Sequence, residues 1–216
     1  MDLINLLLKG TLETLIMVSI SWVISYLFGI PLGVILVITK DKGIKKNKVI
    51  YQILEWIINT ARSIPFFILM VLVIPLTRSI VGTSIGTIAF LVPLTLGATP
   101  FIARMVETSL EEVSQGVVEA AQAMGANTWQ IVTKVYLKES IPSLIRGGSI
   151  TTIALIGYSA MAGVVGGNGL GDIAIRYGLH RYQTDIMIYT LIILIVMVQV
   201  IQIIFNCVAK KIDKRK

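Results

Sequence analysis

The sequence predicts an all-α integral membrane protein with five transmembrane helices, its N-terminus outside, its C-terminus cytoplasmic, and a cytoplasmic loop between spans three and four. Three observations carry that prediction. Apolar residues make up 55% of the 216 and charged residues only 14%, with a mean hydropathy of +0.84; soluble domains carry about 25% charged residues. Four charge-free runs are long enough to cross a bilayer as helix, Thr14 to Ile38, Ser79 to Ala103, Gly147 to Gly171 and Ile186 to Ala209, and a fifth apolar stretch lies between Val49 and Thr77. Basic residues gather on alternate connections, as topology in a membrane requires.

The spans are placed at about 14–38, 50–77, 80–103, 147–168 and 186–209, within one membrane domain covering 11–209. Span one is expected to stay in the mature protein, because MDLINLLLKG has no positive n-region and no small-residue cleavage pattern comes after the first apolar run. Span two holds only fifteen uncharged residues, Ser63 to Thr77, so its helix is expected to begin near Val49 and to carry Glu55 and Arg62 in its first half. Those two are seven apart and share a face to within about 20° on a straight helix. Ionisable groups inside a membrane are candidates for a functional site, and in the cytoplasmic half they can equally snorkel to the surface. Pro31, Pro65, Pro75, Pro93 and Pro100 can kink the first three spans.

Span four is rich in small and polar residues: GGSITTIALIGYSAMAGVVGGNGLG has eight glycines, with Ser149, Thr151, Thr152, Tyr158 and Ser159. It suits either a tightly packed interior helix or the wall of a solute path. Span five is almost wholly aliphatic and suits lipid, except that Gln199, Gln202 and Asn206 share one face, which is expected to meet protein.

Fourteen of the nineteen Lys and Arg residues lie in KDKGIKKNK (Lys40–Lys48), in the 104–146 loop or in the tail Lys210–Lys216. This distribution sets the orientation. The net charge of +7 is then accounted for by the positive-inside bias and the anionic leaflet, and no nucleic-acid partner is expected. Cys207 is the only cysteine, so no intrachain disulfide can form and a packing role is expected. With His180 also alone, no metal site is expected.

The loop contains EAAQAMGANTWQ, Glu119 to Gln130. Val117, Ala120, Ala121 and Met124 recur at helical spacing and predict a short helix with one narrow apolar face. Gly125 ends it, Asn127 or Thr128 caps a second helix through Trp129 to Leu137, and Pro142 is expected to end the stretch after Leu137. A helix this short needs a partner, either this chain's own span ends or another protein.

EAA followed by three residues and a glycine, Glu119 to Gly125, resembles the cytoplasmic loop motif of permease subunits of binding-protein-dependent ABC importers. Val135–Lys138 stands where that motif continues as I-x-L-P, with Lys138 in place of the proline. The stretches GYSAMAGVVGGNGLGDIAIRYGLHRY (Gly157–Tyr182) and NTARSIPFFILMVLVIPLT (Asn59–Thr77) are similar to methionine importer permeases. Asn168 and Leu179-His180 depart from the residues expected there. The resemblance implies a homodimeric permease in a prokaryotic cell membrane, working with two ABC ATPase subunits and an external substrate-binding lipoprotein to import D- and/or L-methionine. Another amino acid of the same importer class is the nearest alternative, and an ion-coupled secondary transporter a more distant one. It also implies ATPase-coupling residues Glu119, Ala120, Ala121, Met124 and Gly125, and a translocation path at Tyr158, Ser159, Met161 and Asn168, with Arg62 as an outlying candidate. The chain has no G-x-x-x-x-G-K-S/T phosphate loop and is expected to be no enzyme; ATP and magnesium would belong to the partner ATPase.

Overall fold

The computed structural model describes residues 3–212, leaving Lys214, Arg215 and Lys216 of the basic tail outside the described residues. Helices succeed one another in the order α1 (Leu3–Thr39), α2 (Lys48–Ser63), α3 (Phe66–Leu72), α4 (Ile74–Val81), α5 (Thr87–Glu111), α6 (Gln115–Ala123), α7 (Thr128–Ile131), α8 (Leu137–Glu139), α9 (Ile141–Ala162), α10 (Leu170–Ile173) and α11 (Thr184–Ile212). Wider π-type turns at Val132–Tyr136 and Ala174–Leu179 continue α7 and α10. Among the described residues, four helices are long and apolar enough to cross a membrane, and a fifth span results if the broken pair α2 and α3 counts as one.

Several boundaries differ from those the sequence suggested; the helix of span three, for one, begins at Thr87 rather than at about 80, which lies in α4. The stretch 50–77 falls in three helices rather than one: Pro65 sits at φ −57°, ψ 132°, an extended conformation that stops α2, and a second break at Val73 (φ −89°, ψ 5°) separates α3 from α4, which has Pro75 in its first turn. A residue before proline is itself pushed out of the helical region, so Ile64 cannot carry the helix through. Pro142 opens α9 instead of ending the preceding helix, since proline at the first turn of a helix loses no hydrogen bond. α1 is longer than its apolar run, beginning at Leu3 so that Lys9 and Glu13 are helical.

The chain forms two compact units. One comprises the described residues up to Ser25 together with Ile64–Ala98 and Ile150–Ile203; the other comprises Tyr26–Ser63, Thr99–Ser149 and the described residues from Ile204 onward. In the first, Met17, Leu94, Leu155 and Leu170 are fully buried. Gly171 allows α10 to reach α9, since a Cβ there would collide with the Ala160 carbonyl.

In the second unit, Leu36, Ile58 and Ala103 form a core covered by Leu32, Tyr51 and Leu54. An ion network borders it. The Arg104 guanidinium donates to Glu107 at 2.6 Å and to Asn59 at 2.8 Å, and lies 3.5 Å from Glu55. Glu55 therefore pairs with Arg104, while Arg62 stands exposed. Lys40 pairs with Glu111, and Lys46 lies 3.0 Å from Asp41, whose carboxyl it holds below the usual range by hydrogen bond and charge.

α11 presents large aliphatics outward, with only 6% of its most apolar window buried, as a lipid-facing helix would. Gln199, Gln202 and Asn206 are all exposed; the side that packs within the chain carries Thr190, Met197 and Ala209. Cys207, expected to pack, is also exposed.

Candidate docking surface and translocation path

The loop between α5 and α9 is closed at its base. The Ser140 hydroxyl donates to the Ser109 carbonyl at 2.9 Å, and the Ser143 hydroxyl donates to Glu112 at 2.8 Å while lying 3.1 Å from Ser109 Oγ. These bonds hold the start of α9 against the end of α5, so the intervening helices sit on a fixed base. α6 turns inward only Val118 and Ala121, spaced three apart on one face. Val118 has no exposed surface, whereas Met124 is 82% exposed and Val117 and Ala120 are also outward.

The apolar face read from the sequence is therefore divided. Ala121 belongs to the side this chain covers, and Val117, Ala120 and Met124 belong to the side it leaves open. Glu119 is exposed beside them. Gly125 comes next at φ +81° with nothing within 4 Å of a Cβ placed there. Its conformation is required by the reversal of the backbone, not by crowding.

The next helix begins with a capping box. Asn127 Oδ1 accepts from the Gln130 N–H and Gln130 Oε1 accepts from the Asn127 N–H, both at 2.9 Å. This pair fixes Trp129 on the outer side at 74% exposure, beside the open end of α6. Trp129 is a residue that sequence periodicity did not assign to the surface. Its cap signature, Asn127 with Gln130 three residues on, was the available signal. Ile131, Val132 and Tyr136 turn inward, and burial pushes the Tyr136 hydroxyl pKa up, which keeps it neutral. Lys138 stands exposed on α8.

In the other unit, the Tyr158 ring stacks on Phe66 with centroids 4.3 Å apart and an interplanar angle of 11°. Met161 is 44% exposed one turn further along α9, on the same side as exposed Gly157 and Val164. Ser159 faces the opposite way: it is buried, and its hydroxyl donates to the Ile156 carbonyl at 2.8 Å. Asn168 lies beyond α9, where its Nδ2 donates to Thr87 Oγ1 at 3.2 Å. The five path candidates thus do not form one cluster. Tyr158 and Met161 share the open side of α9, Ser159 packs inward, Asn168 lines a separate cleft and Arg62 is on α2 in the other unit.

Close to Asn168, α1 caps α10 from a distance in sequence. Glu13 Oε2 accepts the Gly169 N–H at 3.1 Å, and Thr14 Oγ1 accepts the Leu170 N–H at 2.9 Å. Helix N-termini leave such donors unsatisfied, and here the partner is another helix. Glu13 closed the charge-free run in the sequence, and nothing in its spacing pointed to Gly169.

Comparisons with known proteins match this architecture. The family model described as "Binding-protein-dependent transport system inner membrane component" matches residues 29–216. A Vibrio cholerae protein named probable D-methionine transport system permease protein MetI is 51% identical over 211 residues, covering 98% of this chain and 94% of the relative. The Escherichia coli K12 protein named D-methionine transport system permease protein MetI is 51% identical over 158 residues, 73% of each chain. A chain from an inward-facing structure of the MetNI methionine ABC transporter superposes with a TM-score of 0.96 at 46% identity, covering 97% of both chains. With the family model over most of its length and relatives at this identity, the chain belongs to the family of binding-protein-dependent transport system inner membrane components.

Proposed function

We propose that this chain is the permease subunit of an ATP-driven methionine importer, forming the path for methionine delivered by an external binding protein. The observation that carries the reading is the likeness, over almost the whole chain, to relatives named for D-methionine transport and to a solved methionine ABC transporter. In this reading the chain spans the membrane five times with its N-terminus outside and pairs with a second copy. Two ATPase subunits dock from the cytoplasm.

Docking falls on the open side of α6 and α7. Met124, Val117 and Trp129 supply the apolar anchors, Ala120 lets the α6 backbone approach closely, and Glu119 supplies a charge at the edge. Gly125 sets the angle between the two helices. Ala121 serves the same surface from within, by seating α6 on its own chain.

The path runs along the open side of α9, past Tyr158 and Met161, with Asn168 towards its outer mouth. A polarisable thioether at Met161 suits contact with a thioether solute, and the flat Tyr158 ring offers a second such contact. Ser159 serves packing, and Arg62 remains the outlying candidate. ATP bound between the partner ATPases favours one arrangement of the permease pair, and hydrolysis returns the other. The energy for the switch is the difference in ATP affinity between the two states.

The test is co-purification. The ATPase subunit should be retained from membranes by the wild-type permease and released by M124S/W129S, with the variant still inserted; retention by that variant would contradict the docking assignment.

A further inference from the structure

A polar cleft of about 210 Å³ lies in the unit that contains α10, lined by Lys9, Glu13, Asn168, Asp172, Arg176 and Tyr177. At about 30 Å³ per liquid water, that is room for several waters or for one small organic molecule. Its charges balance, two positive and two negative, but they are not equally engaged. Asp172 is taken by Arg176, which donates to it from Nε at 3.2 Å and also from a terminal nitrogen.

Lys9 and Glu13 are four apart on α1, the spacing at which such a pair ordinarily meets. Here they do not. Glu13 turns to the Gly169 N–H, and Lys9 has no ion pair among the described residues. The two charges line the cleft unjoined. Asn168 spends its Nδ2 on Thr87, which leaves its amide oxygen as an acceptor. Leu6 and Ile173 give the same cleft an apolar wall.

A simple anion in this cleft would meet Glu13, and a simple cation would meet Lys9. A ligand that carries both signs close together satisfies both. We infer that the cleft binds a free α-amino acid as its zwitterion, with the carboxylate on Lys9 Nζ and the ammonium on the Glu13 carboxylate and the Asn168 amide oxygen. Leu6 and Ile173 receive the side chain. This rests on the reading of the chain as an amino-acid permease. It adds a recognition site on the permease itself, beyond the end of α9 at the Asn168 side of the proposed path, and distinct from any binding protein.

The experiment is equilibrium binding of radiolabelled methionine to the purified permease–ATPase complex without binding protein. Methionine methyl ester, which lacks the carboxylate, and N-acetylmethionine, which lacks the ammonium, serve as competitors. Wild type should bind saturably, neither competitor should displace methionine, and K9Q and E13Q should each weaken binding by about tenfold or more, the loss of one charge-assisted hydrogen bond. Gln at position 13 still accepts from Gly169, so an unchanged melting midpoint shows that the fold survives. No saturable binding at millimolar methionine, unchanged affinity in K9Q, or displacement by the ester would overturn the site. If the complete importer still takes up methionine in that case, only the cleft is lost; if it takes up none, the permease reading falls as well.

Discussion

Phe66 and Tyr158 lie face to face, with ring centroids 4.3 Å apart and planes 11° from parallel. Phe66 opens α3 directly after the break at Pro65, and Tyr158 lies in the glycine-rich part of α9. The stack fastens the helix that resumes after the break to α9. Phe66 is buried, so F66A should lower unfolding free energy by about 3 kcal/mol, read as a fall in thermal midpoint. Y158F keeps both rings and should stay within about 0.5 kcal/mol of wild type. Equal loss in both variants would show that the stack is not the stabilising element.

The bonds from Thr14 and Glu13 to the start of α10 predict a cost that side-chain volume does not explain. T14V keeps the shape and leaves the buried Leu170 N–H without a partner, at about 1–3 kcal/mol. T14S, which keeps the hydroxyl, should recover most of it. Thermal melts of the two variants side by side make the check.

Arg104 predicts a non-additive pair. R104M should destabilise by about 3 kcal/mol, because Glu107 has only 3% of its side-chain surface exposed and would be left buried without its cation. R104M/E107L removes both charges and should melt closer to wild type than R104M alone. A double variant worse than the single one would contradict this account of the network.

Gly125 separates backbone demand from space. With φ at +81° and open surroundings, G125V should distort the turn, while G125N, a residue tolerant of left-handed backbone, should keep it. The expected readout is ATPase retention on co-purification, lost in G125V and largely kept in G125N.

The helical membrane class was legible because apolar runs and charge placement are direct consequences of the bilayer as solvent. Where α2 stops was only half legible: Pro65 announced a disturbance, and its extended ψ made the disturbance a full break. The α6 face shows a different limit. Periodicity found Val117, Ala120, Ala121 and Met124, but a nine-residue helix has two usable sides, and the buried one is set by Val118 and Ala121 together. Which stripe the chain keeps for itself depends on the α5–α9 base, through Ser109 and Ser140, thirty-one residues apart. Glu13 and Lys9 were the least legible. A charge at the edge of an apolar run reads as the end of a span, and its use by Gly169 is a tertiary fact.

The central claim is tested by methionine uptake into proteoliposomes containing this permease, its ATPase and its binding protein. The account predicts accumulation of methionine that requires ATP, that is lost in M124S/W129S, and that excess unlabelled methionine suppresses more strongly than other amino acids do. Uptake that persists without ATP, or uptake that methionine does not compete, would contradict it.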